Sequence, residues 1–196
     1  TLARVYCCDD PAEQVVGLAP HTGPQRPGDR ATAARSPRSY LATTVGDTLK
    51  LARGGRPKVI GLSNKDRAAI LMAGHFADAA YYTEGDRFVT STYYMRALPA
   101  WAEGFNVAKK PDAYFGKVWD RLLPVEAYSI QGPDDSPNEF TGLGLSPIFP
   151  KIITGGEKAP GPAFYEALIH TPFASEILAD FARAAIDGEK LGQRHV

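Results

Sequence analysis

Apolar and polar positions fall into short blocks along this chain, and the sharpest lies near its middle. Residues 58–63, KVIGLS, form an apolar run bounded by Pro57 and a polar turn, the pattern of a buried strand. Upstream, Leu41, Val45, Leu49 and Ala52 recur at helical spacing and predict one apolar helix face. Ser36 is placed as its N-cap and Pro37 at its first position, and Gly54, Gly55 and Pro57 end it. Downstream, 68–74 reads as a short helix or turn. Residues 79–83 and 87–94 are aromatic and β-branched and flank Glu84-Gly85-Asp86, which predicts a hairpin. Tyr81, Tyr82, Phe88, Tyr93 and Tyr94 could line a ligand cleft, and cross-strand packing is the preferred reading for most of them.

The same patterns predict helices over 98–106, over 114–123 with Phe115, Val118, Trp119 and Leu122 on one face, and over 162–169. A last helix starts with Thr171 as N-cap and Pro172 at N1, buries Ile177, Phe181 and Ala184, and ends by Gly192. Weaker strands are expected at 1–8, 14–18 and 146–154. A helix feeding a strand points to an α/β class built in layers. Three stretches follow: 1–124 as a partial α/β core, 125–162 as a Gly/Pro-rich loop or cap, and 163–196 as a helical return to the core.

Composition narrows the function. Lys+Arg and Asp+Glu both number 22 in 196 residues, so no basic excess favours nucleic acid or an anionic membrane. No apolar run is long enough to span a bilayer. The cysteines, Cys7 and Cys8, are adjacent, a spacing that strains a disulfide, and read as structural thiols. Asp9-Asp10 reads as a solvated turn and Asp134-Asp135 as a turn. His75 reads as a structural histidine bonded to backbone, with Asp78 three residues on and suited to a local hydrogen bond. His21, His75, His170 and His195 are scattered, without metal-ligand spacing. The hydroxyls of Thr43, Thr44, Thr90 and Ser91 fit ordinary helix or strand packing.

Candidate chemistry sits just past the central strand, at Lys65 and Arg67. In open α/β sheets ligands bind beyond the carboxyl ends of strands. Two cations there suit an anion, and the guanidinium fork of Arg67 matches two oxygens of a phosphate or carboxylate. Asp66, between them, is expected to face away or to orient a cation.

The runs SNKDRAAILMAGHFADAAYY, FVTSTYYM and LPAWAEGFN resemble the middle of alkaline phosphatase superfamily enzymes of the type I phosphodiesterase/nucleotide pyrophosphatase branch. They are most like bacterial periplasmic alkaline phosphatases with an active-site Lys-x-Arg pair. SPRSYLATTVGDTLKLA and GPAFYEALIHTPFASEILADFARAA extend the resemblance over most of the chain, and it thins over 125–160. It implies part of a layered α/β/α fold with cap-forming insertions, and an interior segment of a zinc-dependent phosphate monoesterase. Lys65 and Arg67 would bind the phosphoryl group. The Thr or Ser nucleophile and the ligands of two zinc ions would lie in flanking parts of the same polypeptide, so that no catalytic or metal-binding residue is expected here. The resemblance also implies a phosphorylated small-molecule substrate, a periplasmic or secreted location, and a segment inactive alone. A phosphodiesterase or nucleotide pyrophosphatase, and a non-catalytic phosphate-binding domain, are the alternatives.

Overall fold

The structure is a computed structural model describing residues 8–18, 34–132, 134–136 and 142–193. The chain divides into two compact units, residues 1–108 with 178–196, and residues 109–177.

The first unit is built on a four-stranded sheet: β1 (Val15–Val16), β2 (Ile60–Leu62), β3 (Ala79–Glu84) and β4 (Arg87–Ser91), in the order β1-β4-β3-β2. Strands β2 and β3 are parallel, with Gly61 opposite Ala80, and α2 (Asp66–Ala73) connects them. Strands β3 and β4 form the expected hairpin, turning at Gly85-Asp86 with Gly85 at φ 60°. β1 adds antiparallel to β4, Val15 opposite Ser91.

Both sheet faces are covered, so Ala79, Ala80, Tyr81 and Tyr82 are all buried in succession. On one face Ala80, Tyr82 and Val89 pack with Ile70 and Ala73 of α2 and with Cys8. On the other, Phe181 is the hub. Its ring stacks on Phe88 at 3.8 Å and meets Tyr81, Trp101 and Phe105 at 5.1 to 5.4 Å. Trp101 and Phe105 belong to α3 (Ala100–Val107), Phe181 to the longest helix, α5 (Pro172–Glu189). Helix, sheet, helix: this is the layered arrangement expected. Each large aromatic buried here contributes on the order of 2–3 kcal/mol.

Two expected elements differ. The helix placed from Ser36 is instead α1 (Val45–Ala52), started by a reciprocal capping box between Thr44 and Asp47. Ser36 starts no helix; its hydroxyl accepts the Arg38 amide at 3.2 Å and donates to Asp10 Oδ2 at 2.6 Å. Backbone bonds Ser36 N to Cys8 O and Asp10 N to Ala34 O hold 34–36 extended against 8–10. Tertiary pairing thus overrides a local cap signal. Leu41 lies ahead of this helix, and the apolar positions read from the spacing are uncovered, Leu41 and Val45 being 99% and 88% exposed.

The second departure is 114–123, which lies in the second unit. It holds a 3-10 turn, Lys110–Tyr114, and then β5 (Val118–Trp119). β5 pairs antiparallel with β6 (Lys151–Ile152), so the expected edge strand near 146–154 has a partner. Backbone bonds from Gly116 N to Ile153 O and from Ile153 N to Lys117 O extend this pairing, which a helix would forbid. One cation lies over two rings there: Lys151 Nζ is 4.7 Å from the Phe149 ring centre and 5.4 Å from that of Trp119. A 3-10 stretch, Val125–Gln131, and α4 (Pro162–Leu168) complete the unit, and residues 125–162 fall wholly within it. The Thr171 hydroxyl donates back to Leu168 O rather than capping α5. The strand expected at 1–8 lies outside the described residues except for Cys8, a buried free thiol.

Candidate anion-binding turn

Gly61 is the reason the site can form. A Cβ there would meet Ala69 O at 2.3 Å and Ala73 Cβ at 2.7 Å. Only glycine lets α2 lie this close over β2, and that contact sets where the helix begins. The chain leaves β2 at Leu62, and the β2–α2 turn is tied down on the β3 side. Ser63 N donates to Tyr81 O at 3.1 Å, and the Thr83 hydroxyl donates to Asn64 O at 2.9 Å. Lys65 follows as the extended N-cap residue of α2, Asp66 is N1 and Arg67 is N2. The α2 N-terminus adds its own partial positive charge to theirs.

Both cationic side chains are exposed. The guanidinium of Arg67 lies 3.9 Å from Asp66 Oδ1, too long for a tight pair. Asp66 does not face away: one oxygen, Oδ1, accepts the Arg67 backbone N–H at 2.6 Å, and the other, Oδ2, accepts Arg35 Nε at 2.7 Å. Burial pushes the Asp66 pKa up, but the Arg35 and Arg67 N–H donors outweigh it and hold the carboxyl below its usual range.

Arg35 is a residue sequence reasoning missed. It is buried, 3% exposed, and its Nε also lies 3.2 Å from Asp9 Oδ1. That second contact lacks hydrogen-bond geometry, and Asp9 Oδ1 has no hydrogen-bond partner, so of these two carboxylates it is Asp66 that Arg35 Nε bonds. The Asp9-Asp10 pair is therefore no solvated turn. Asp10 is buried, accepts from Ser36 Oγ and the Ala12 amide, and pairs with Arg38 Nε at 2.9 Å. The Ser36 bond, against burial, leads in holding its carboxyl low. The one available signal was density: Asp9, Asp10, Glu13, Arg35 and Arg38 carry matched opposite charges in two short segments.

His75 has a structural partner, but not the expected one. Its Nδ1 lies 3.3 Å from Asp47 Oδ2, while Asp78 accepts from Lys50 Nζ and from Val59 N, each at 2.7 Å. Gly74, at φ 87°, keeps this knot open; a Cβ would lie 2.5 Å from Asp47 Oδ2. Thr90 and Ser91 are buried in β4, and Thr90 Oγ1 donates to Ala80 O, so they pack as expected. In the second unit a cleft of about 920 Å³ is lined by Trp119, Arg121, Tyr128, Phe149 and Phe173 among others, and Arg121 pairs with Asp134 inside it. Asp134 is thus an ion-pair partner and not a plain turn residue. Among the described residues no group of three or more His, Cys, Asp or Glu could hold a metal ion. No described helix is long and apolar enough to cross a membrane.

No family model matches the sequence. Individual proteins do. The chain is 36% identical over 195 residues to alkaline phosphatase PafA of Elizabethkingia meningoseptica, covering 96% of this chain and 33% of that protein. It is 36% identical over 192 residues to alkaline phosphatase PhoV of Synechococcus elongatus (96% and 32%). A protein of Myroides odoratus named calcium-transporting ATPase is 39% identical over 192 residues (96% and 33%). The fold matches the crystal structure of wild-type PafA with a TM-score of 0.76 at 34% identity, over 97% of this chain and 35% of PafA. A PafA variant matches with a TM-score of 0.70 at 31% identity, again over 97% and 35%. It carries a Thr-to-Ser change and alanine in place of an asparagine and of a lysine and an arginine two residues apart. The chain belongs to the alkaline phosphatase superfamily, and it spans about a third of the length of the relatives it matches.

Proposed function

We propose that this chain is an interior part of a zinc-dependent phosphate monoester hydrolase, an alkaline phosphatase, in which Lys65 and Arg67 hold the phosphoryl group. One observation carries the reading: two exposed cations stand at the N-cap and N2 positions of α2, directly beyond the carboxyl end of the parallel strand β2. The lysine and arginine altered together in the PafA variant have the same spacing, which supports it.

Phosphoryl transfer asks the protein mainly for positioning and charge. A monoester is nearly a dianion at neutral pH and a diester a monoanion. Lys65 and Arg67, with the positive end of α2, interact more strongly with the dianion and with the charge on its non-bridging oxygens in the transition state. That favours a monoesterase over a diesterase of the same branch. The phosphate chemistry common to a phosphatase and an ATPase suits these cations.

Zinc, when bound, would supply Lewis-acid activation of the nucleophile and leaving oxygen. Among the described residues no group fits a zinc site; its ligands, like the nucleophile, are proposed to lie in flanking polypeptide on family resemblance. The second unit, with its aromatic cleft, is the proposed cap that shapes access of a phosphorylated small molecule. The periplasm or cell exterior is the proposed location, on family resemblance.

Lys65→Ala and Arg67→Ala in the full-length enzyme test the reading. Each is expected to lower kcat/KM for a phosphate monoester by about 3 kcal/mol, or roughly two orders of magnitude. The monoester-to-diester ratio should fall with it. An equal fall on diesters points to the diesterase, and no fall on either removes the phosphate-binding role.

A further inference from the structure

The Lys65-Asp66-Arg67 triplet contains its own inhibitor. An aspartate between two cations competes with any anionic ligand for them, yet here the Asp66 carboxylate is drawn off by a third cation. Arg35, thirty-one residues upstream, donates Nε to Asp66 Oδ2 at 2.7 Å. It is anchored by the backbone pairing of 34–36 with 8–10 and is buried. The other Asp66 oxygen is turned to the Arg67 backbone amide, and the Arg67 guanidinium stands off at 3.9 Å.

Building on the phosphate-binding role assigned to Lys65 and Arg67, we propose that Arg35 is a positioning residue for that role. By neutralising Asp66 and fixing its rotamer, it keeps the Arg67 guanidinium and the net charge of the turn available to phosphate. Without it, the freed Asp66 oxygen lies within reach of Arg67, and an intramolecular pair replaces the pair with ligand. A burial-only role for Arg35 would affect folding but would not depend on the charge of Asp66.

The probe is inorganic phosphate as a competitive inhibitor of monoester turnover by the full-length enzyme. Arg35→Met is expected to raise its Ki about tenfold, because one nearby unit of negative charge is uncovered in a partly dry site. Arg35→Met combined with Asp66→Asn is expected to return Ki to within about threefold of the parent, since the charge that Arg35 masked is gone. An unchanged Ki in Arg35→Met, or no recovery in the double variant, overturns the proposal. Where Arg35→Met does not fold, Arg35→Gln keeps an N–H donor beside Asp66 without the charge; it should raise Ki likewise, and an unchanged Ki again overturns the proposal. Lys65→Ala and Arg67→Ala run alongside separate the two failures. If they leave Ki unchanged, the phosphate-binding reading falls and takes the Arg35 role with it. If they raise Ki and the Arg35 variants do not, the Arg35 role alone falls.

Discussion

Asp47 Oδ2 lies 3.3 Å from Nδ1 of His75, and the same carboxylate accepts the backbone amides of Thr44 at 3.1 Å and Phe76 at 2.9 Å. One fully buried acid thus starts α1 and closes the turn after α2. In the tautomer protonated at Nδ1, His75 donates to it.

That arrangement fixes a pH dependence. Burial raises the Asp47 pKa, but the Phe76 and Thr44 amides and His75 more than offset it, and the folded value lies below the ordinary 3.8. A lowered folded pKa gives stability that is complete above the unfolded value and is lost as pH falls through the folded one. Urea unfolding should therefore show the parent losing stability below about pH 4 more steeply than Asp47→Asn. At neutral pH that variant should be less stable by about 1–3 kcal/mol. Equal acid slopes would remove Asp47 from the account.

Asn106 closes both backbone groups of Phe88: Phe88 N donates to its Oδ1 at 2.9 Å and its Nδ2 donates to Phe88 O at 2.8 Å. The pair is buried, where β1 no longer covers β4. Asn106→Ala leaves a buried N–H and C=O unmet and should lower stability by about 2–4 kcal/mol, measured by denaturant midpoint. Asn106→Asp offers only acceptors and should not restore it.

Gly61→Ala tests how the site is placed. The added methyl meets α2 backbone and must push the helix off β2, which should lower stability by about 1–3 kcal/mol. Because Lys65 and Arg67 sit on the first turn of that helix, monoester kcat/KM should fall by about tenfold or more, misplacement of binding groups being expensive in rate. Loss of stability without loss of rate would separate the helix from the site.

Legibility followed the range of the forces involved. The β3–β4 hairpin, α3, α4 and the run of β2 rest on local turn chemistry and apolar blocks, and all were readable. Helix α1 begins eight residues later than Ser36-Pro37 suggests because Ser36 is bonded to Asp10, a partner twenty-six residues away. Residues 114–123 carried a helical spacing, yet β6 claimed Val118 and Trp119 from more than thirty residues downstream. In the site, Lys65 and Arg67 were readable as charges after a strand. Their relation to Arg35 was not, since an ion pair across thirty-one residues leaves no periodicity.

On the proposed function, Lys65 and Arg67 hold one phosphoryl group. A crystal structure of the full-length enzyme with inorganic phosphate tests it most directly. Lys65 Nζ and the Arg67 guanidinium are both expected within about 3 Å of oxygens of the same phosphate. Phosphate bound with either side chain turned to solvent would contradict it.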